Sequence, residues 1–126
     1  MNIYGFDHIV LCVDDVDVSL DFYQKVLGMT AREERPNKWS LHFGCSKISL
    51  QNTRNAPQIA QNTLPGSGNF CLVTDTAIDE IVAHLGAHNV EILQGPSEKI
   101  GALGTLISVY FRDPDGNLVE VSNRLV

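Results

Sequence analysis

The sequence has few cysteines, no run of basic residues and no long apolar stretch, and each shortage excludes a class of protein. Three cysteines are an odd number without metal-type spacing, so we expect buried thiols in a reducing compartment rather than a disulfide framework. The net charge of −6 argues against nucleic acid or an anionic membrane as partner, because both would repel the chain. No stretch is long enough to span a bilayer, and Asp7 stands where the apolar core of a signal peptide would begin. We therefore expect a soluble, cytoplasmic protein.

The chain contains one pattern of elements twice. Residues 6–13 form an apolar, partly β-branched run followed by aspartates and an amphipathic segment, and residues 69–74 begin a second copy of this pattern. In both amphipathic segments the apolar residues recur at the three- and four-residue spacing of a helix. Each copy is too small to bury a core alone, so the pattern predicts two modules that pack together.

The ends of the two helices are marked by local signals. Asp15 is a candidate N-cap of the first helix, and either Asp75 or Thr76 is a candidate for the second, since their side chains accept hydrogen bonds from free amides. Both segments reach a Leu-Gly pair, and Gly28 and Gly86 are therefore predicted to end the helices.

Three strands are predicted after each helix. Their predicted bounds are Met29–Arg35, Lys38–Gly44 and Lys47–Gln51 in the first half, and Val90–Gly95, Leu103–Arg112 and Asn117–Ser122 in the second. The predicted fold is α+β: two tandem βαβββ modules that form a curved, partly open eight-stranded sheet around a cleft. Residues 1–126 make a single domain, with a first module at about 4–53, a polar connector at about 54–66 and a second module at about 67–124.

Alternation along the strands assigns each side chain to one face of the sheet. Apolar residues such as Leu11, Ile48 and Val119 suit the face beneath the helices. The opposite face collects the polar residues His8, His42, Gln51, Asn69, Ser108, Tyr110 and Glu120. Because an unpaired buried polar group costs about 1–3 kcal/mol, this set favours a ligand cleft over a core. Taken singly, His8 also fits a hydrogen-bonded wall residue, and Glu120 fits a half-exposed edge residue.

Two segments carry a family resemblance. Residues 6–28 read FDHIVLCVDDVDVSLDFYQKVLG, and residues 108–123 read SVYFRDPDGNLVEVSN, with the ending D-P-D-G-x-x-x-E. Together they resemble the vicinal oxygen chelate superfamily, which includes glyoxalase I, bleomycin-resistance proteins and extradiol dioxygenases, and the chain is most similar to its small glyoxalase-like subgroup. The resemblance covers essentially the whole chain. It implies a homodimer, because members commonly cover open sheet edges with a second copy.

The resemblance also implies a metal site. In metal-dependent members the ion is held by the first and last strands of each module. Carried over, those positions are His8, Gln51, Asn69 and Glu120. This set, with one imidazole, one carboxylate and two amides, favours Mn²⁺, Mg²⁺ or Ni²⁺ and should bind Zn²⁺ less tightly than a site with two histidines and two carboxylates. If the match shifts from Asn69 to Phe70, that ligand is lost, and His42 is a substitute on the same face.

The implied chemistry is that of a Lewis acid acting on two neighbouring oxygens of a substrate. Glu120 is then the expected base, and His42, Ser108 and Tyr110 the expected substrate-binding residues. Lys99 lies in a predicted loop, where it would be a solvated charge or would steer an anionic substrate.

Two functions compete. The first is a metal-dependent lyase or isomerase acting on a small oxygenated metabolite; the second is a metal-free module that captures a small molecule, as the drug-sequestering members do. Extradiol dioxygenase chemistry is less favoured, because such iron sites use two histidines and a carboxylate. Transfer to a phosphonate is also disfavoured, since the polar face was assigned no cation before Arg112.

Overall fold

Each half of the chain folds as a strand, a helix and three further strands, in a computed structural model that describes residues 1–52 and 60–125. The unit Met1–Ser67 contains β1 (His8–Val13), α1 (Val16–Leu27), β2 (Thr30–Arg35), β3 (Lys38–Phe43) and β4 (Ser46–Asn52). The unit Gly68–Val126 contains β5 (Asn69–Val73), α2 (Ile78–Ala87), β6 (Gln94–Gly101), β7 (Gly104–Arg112) and β8 (Leu118–Arg124). The predicted α+β class and the tandem βαβββ repeat are confirmed. Of the predicted connector at about 54–66, residues 54–59 lie outside the described residues.

The two units have the same sheet topology. The strand order is β1-β4-β3-β2 in the first four-stranded sheet and β5-β8-β7-β6 in the second. In each sheet the first strand pairs in parallel with the last, and the other pairs are antiparallel. The helix is the crossover between the first strand and the rest, as parallel pairing requires. None of the described helices is long and apolar enough to cross a membrane.

The first helix begins and ends at the predicted residues. The Asp15 side chain accepts a hydrogen bond from the Val18 amide at 3.2 Å, which satisfies one free donor of the first turn. At the other end Gly28 has φ 66°, and its amide donates to the carbonyl of Gln24. This left-handed conformation is one that glycine adopts at little cost.

The second helix departs from the prediction at both ends. Its N-cap is Ala77, whose side chain has no hydrogen-bond acceptor. Thr76 instead donates its amide to the Thr74 hydroxyl, in a local turn before the helix. The helix continues past Gly86 to Ala87, and the left-handed residue that follows is Asn89, with φ 57°. Asparagine tolerates this conformation better than most residues.

The largest difference from the predicted bounds is β6, which begins at Gln94 and runs through a Gly-Pro pair that was taken as its end. The pairing with β7 shifts register between Gln94 and Ser97, so the pair lies in a β-bulge. Gly95 has φ 101°, and a Cβ there would collide with the carbonyl oxygen of Ser108. A bulge therefore accommodates residues that would break a regular ladder.

Each unit has its own apolar core between its helix and its sheet. In the first, Tyr23 of α1 and the strand residues Val13, Leu41 and Ile48 are fully buried. In the second, Ile81 and Leu85 of α2 are buried, as are the strand residues Val109, Phe111 and Val119. Burial of such side chains, at about 1.5–3 kcal/mol each, is the main stabilising contribution in both units.

The expectation of three buried thiols is wrong for two of them. Cys12 is buried, whereas Cys45 and Cys71 are exposed. Cys45 follows Gly44 in the turn between β3 and β4, and Cys71 lies on the polar face of β5 rather than beneath α2. All three are free cysteines.

Candidate functional site

The face of each sheet opposite the helix carries the polar residues that alternation assigned to it. On β4, Ile48 and Leu50 are buried, while Ser49 and Gln51 are partly exposed. On β8, Val119 and Val121 are buried beneath α2, and Glu120 between them is partly exposed. We call this face of either sheet the polar face.

In the second unit the polar face is organised around Glu120. Tyr110 is its direct partner in the β7–β8 pairing, and Cys71 is its direct partner on β5. The Ser122 hydroxyl donates to the Glu120 Oε2 atom at 3.3 Å, and Ser122 is itself 2.6 Å from the hydroxyl of Ser108. The carboxylate is thus held by neighbours on three strands.

Two pKa shifts follow from this arrangement. Desolvation and the hydrogen bond to the Glu120 carboxylate raise the pKa of Tyr110 to about 12, so its hydroxyl stays protonated and acts as a donor at neutral pH. Desolvation, reinforced by the Glu120 charge, raises the pKa of the Cys71 thiol against the opposing hydrogen bond with Ser122. Cys71 is therefore a neutral thiol rather than a nucleophilic thiolate.

Two residues of β6 extend this surface: Lys99, which the sequence analysis placed in a loop, and Ser97, which it did not identify. Lys99 lies in a strand rather than the predicted loop, and its Nζ atom is 5.4 Å from the centre of the Tyr110 ring. The Ser97 hydroxyl is buried and has no hydrogen-bond partner in the described part of the chain. Alternation continued through the Gly-Pro bulge would have placed both residues on the polar face. The sequence analysis ended β6 at Gly95 and so did not apply alternation beyond it.

In the first unit the polar face is organised around a carboxylate that the sequence did not indicate. Glu34 lies at the β2 bulge, where the register shifts between Glu33 and Arg35. Its Oε1 atom is 2.8 Å from the Ser40 hydroxyl, 3.1 Å from His42 Nε2 and 2.8 Å from Lys47 Nζ. The Lys47 ammonium also donates to Oε2 at 2.8 Å. A cation therefore lies on the face that was assigned none, and that part of the prediction is wrong.

This network predicts an acid-sensitive contribution to stability. The Lys47 ammonium and the Ser40 hydroxyl lower the pKa of Glu34 to about 2, from 4.5 in an unfolded chain. Because the folded pKa is the lower one, the stabilisation is complete above about pH 4.5 and is lost as pH falls towards 2. We expect Glu34→Gln to unfold at lower urea concentration than wild type at pH 6, with the difference shrinking below pH 4. Urea unfolding between pH 2 and 6 checks this, with exposed Glu91→Gln as control; a difference independent of pH would contradict it.

One of the two ring nitrogens of His8 has a carboxylate partner of the kind found behind metal-binding histidines. Its Nδ1 atom is 2.7 Å from Asp7 Oδ1, which fixes the tautomer with the proton on Nδ1 and leaves the Nε2 lone pair available. A carboxylate that orients a histidine in this way is a common second partner at metal sites. The His8 side chain is half-exposed, at 46% of its free surface.

The strand register brings together one of the two pairs of predicted ligands. Asn69 lies opposite Leu118, so Glu120 is its diagonal neighbour two positions along β8. In the first unit His8 lies opposite Lys47, and Gln51 lies opposite Cys12. His8 and Gln51 are therefore four positions apart along the paired strands, which is roughly 13 Å. Neither unit, as far as its residues are described, contains a group of three or more His, Cys, Asp or Glu side chains suited to a metal.

The turn before β8 positions Glu120. Asp113 is buried, and its carboxylate accepts hydrogen bonds from the amides of Asp115 and Asn117 and from the Asn117 side chain, at 2.8–3.0 Å. The buried Asn117 in turn accepts a hydrogen bond from the Gly68 amide at 2.7 Å. The D-P-D-G segment thus fixes where β8 starts, and with it the register that places Glu120 opposite Tyr110.

The repeated βαβββ fold with a polar face on each sheet is typical of one protein superfamily, and comparison with protein families identifies it. Residues 5–121 match the Glyoxalase/Bleomycin resistance protein/Dioxygenase superfamily, and the chain belongs to that superfamily. The resemblance seen in the sequence is thereby confirmed.

Three relatives show how similar other members are. Virulence protein STM3117 of Salmonella typhimurium is 40% identical over 124 residues, which cover 97% of this chain and 85% of that protein. The glyoxalase domain-containing protein RDO1 of Mycosarcoma maydis is 35% identical, over 98% of this chain and 70% of that protein. A solved integron cassette protein from the mobile metagenome of V. cholerae is 42% identical, with a TM-score of 0.95 over 99% of this chain and 98% of that one.

Proposed function

We propose that this protein is a glyoxalase-like enzyme of the lyase or isomerase type that moves a proton on a small oxygenated metabolite. The observation that carries the proposal is the Glu120 carboxylate, which faces the polar side of its sheet between a tyrosine and a serine hydroxyl. A carboxylate that is fixed by hydrogen bonds and partly open to solvent can act as a general base. A cytoplasmic homodimer is part of the same proposal.

Each side chain around Glu120 has a definite role in this proposal. Glu120 takes a proton from a carbon next to a substrate carbonyl and returns it to the neighbouring carbon or oxygen. The Tyr110 hydroxyl, whose pKa is raised to about 12, donates its single proton to the Glu120 carboxylate; once Glu120 has taken the substrate proton, it donates instead to the substrate oxygen on which negative charge develops. Ser122 and Ser108 form a fixed hydroxyl pair that keeps Glu120 in place.

We propose His8 in the first unit, and Asn69 and Glu120 in the second, as donors to divalent ions, Mn²⁺, Ni²⁺, Mg²⁺ or Zn²⁺. The chemistry of these donors fits such an ion, and the Asp7–His8 hydrogen bond leaves the His8 Nε2 atom available for it. We do not propose Gln51 as a donor to the same ion as His8, because in the β1–β4 pairing it lies four positions from His8. When bound, the ion would supply Lewis-acid stabilisation of an anionic substrate oxygen.

A second candidate function is metal-free capture of a small molecule. The separation of His8 from Gln51 favours it, because a site with one carboxylate and few strong donors holds a metal weakly. The polar face would then bind ligand through Tyr110 and the serine hydroxyls without turning it over. The bleomycin-resistance branch of the superfamily gives this alternative a precedent.

Metal binding distinguishes the two functions. At 100 times its Kd, an ion that binds the native protein alone stabilises it by about 2.7 kcal/mol. We expect Mn²⁺, Ni²⁺ or Zn²⁺ to raise the Tm of wild type measurably and to leave His8→Ala unchanged. His84→Ala, which removes an exposed imidazole of α2, is the matched control and should respond as wild type does.

If the protein is not a metal-dependent enzyme, the same preparation should show no specific metal binding. Protein purified without chelators would carry no ion by elemental analysis, and added metal would shift the Tm of wild type and His8→Ala equally. That outcome would favour the metal-free candidate.

A further inference from the structure

We propose that Lys99 is an anion-binding residue of the second unit, so that the metabolite carries a carboxylate or phosphate group besides the oxygen near Glu120. This inference rests on the proposed function and specifies its substrate class. It depends on three observations within the unit Gly68–Val126: Lys99 has no carboxylate partner among the described residues, it lies near Tyr110, and Ser97 on the same strand has an unpaired hydroxyl.

Lys99 is a partly buried cation without a carboxylate partner. In the first unit, Lys47 donates two hydrogen bonds to Glu34, and Lys25 pairs with Asp21 at 2.7 Å. Lys99 has no such ion pair with any described residue; its recorded contact is with the Tyr110 ring. Its charge is therefore available to an external anion, whereas the charge of Lys47 is already balanced.

The side chain of Lys99 points along the polar face towards the proposed base. In the β6–β7 register Lys99 lies opposite Leu106, and Ser97 lies opposite Ser108. Tyr110 is four residues beyond Leu106 on β7, yet the Lys99 Nζ atom is within 5.4 Å of its ring centre. The ammonium thus lies near Tyr110, which is the direct partner of Glu120.

The Ser97 hydroxyl supplies an unused donor beside this cation. Its oxygen is buried and has no partner among the residues that the structure describes. Ser97 and Lys99 alternate on β6 and so lie on the same face of the strand. An ammonium and a free hydroxyl two residues apart match the oxygens of a carboxylate or a phosphate, which accept several charge-assisted hydrogen bonds.

The test is a titration of full-length protein, labelled with ¹³C and ¹⁵N at lysine, with acetate, succinate and inorganic phosphate at constant ionic strength. We expect one or more of these anions to shift the Lys99 ε-methylene signal saturably, while acetamide does not. Lys99→Gln should weaken that affinity by about tenfold or more, the loss expected for one charge-assisted contact, and Lys99→Arg should retain most of it. Saturation by phosphate alone would assign a phosphorylated substrate, and saturation by a carboxylate alone a carboxylic acid.

Two matched variants keep the outcomes distinct. Lys25→Gln makes the same charge change on the exposed face of α1 and should bind anions as wild type does. Glu120→Gln should retain anion binding, so its loss of turnover would test the proposed function and not this inference. Equal affinity in wild type and Lys99→Gln, or saturable shifts confined to other lysines, would overturn the anion site even if the enzyme proposal held.

Discussion

Replacing Glu120 with glutamine is expected to lower kcat by about 10²–10⁴-fold, the usual contribution of a general base. Glutamine keeps the size of the side chain and can still accept hydrogen bonds from Tyr110 and Ser122, but it cannot take a proton. KM should change much less than kcat, because the substituted group acts on the transferred proton. Steady-state kinetics on any metabolite that the protein turns over, together with circular dichroism to verify folding, measure this.

Glu98 provides the matched control for that substitution. It is exposed on β6, one residue before Lys99, and alternation places it on the other face of the strand. Glu98→Gln removes the same charge from the same unit and should leave kcat within about twofold, as expected of a surface change away from the site. A Glu120→Gln variant that turns over as fast as Glu98→Gln would show that another group moves the proton.

Asp113→Ala is expected to destabilise the protein by about 3 kcal/mol or more. The substitution leaves three buried or part-buried N–H groups without their acceptor, namely the amides of Asp115 and Asn117 and the Asn117 side chain. Each unsatisfied buried donor costs about 1–3 kcal/mol, partly offset when water enters the turn. Because the same turn fixes the start of β8, the variant should also lose activity in conditions where it remains folded.

Urea unfolding at pH 7 measures the effect of Asp113→Ala as a lower midpoint with an unchanged slope. Glu98→Ala, an exposed substitution in the same unit, should stay within about 0.5 kcal/mol of wild type. Equal midpoints for the two variants would mean that the D-P-D-G turn is held by its backbone hydrogen bonds alone.

The sequence predicted the repeat, both helices and the faces of most strands, because these depend on periodicity. Leu11, Ile48 and Val119 are buried where alternation placed them, and Glu120 lies on the opposite face. Asp15 and Gly28 could be assigned as caps because a free amide and a left-handed residue each demand a particular chemistry.

What could not be predicted depends on bulges and register. Alternation puts Thr30, Arg32 and Glu34 on one face of β2, but only the β2–β3 pairing shows that this face meets Ser40 and His42. The Gly-Pro bulge in β6 hides the alternation that places Ser97 and Lys99. A bulge adds one residue and so shifts every later side chain relative to a simple alternation. In the same way, alternation puts His8 and Gln51 on one face but does not give their separation, which only the β1–β4 pairing shows.

Solvent deuterium exchange can show whether Glu120 moves a proton on a small oxygenated metabolite. Wild-type protein supplied with Mn²⁺ or Ni²⁺ would be incubated in ²H₂O with a panel of α-hydroxy ketones and α-keto acids, and ¹H NMR would follow the C–H signals next to each carbonyl. We expect protein-dependent loss of such a signal from at least one compound that binds, and no loss with Glu120→Gln. Binding without exchange by wild type, or equal exchange by Glu120→Gln, would contradict it.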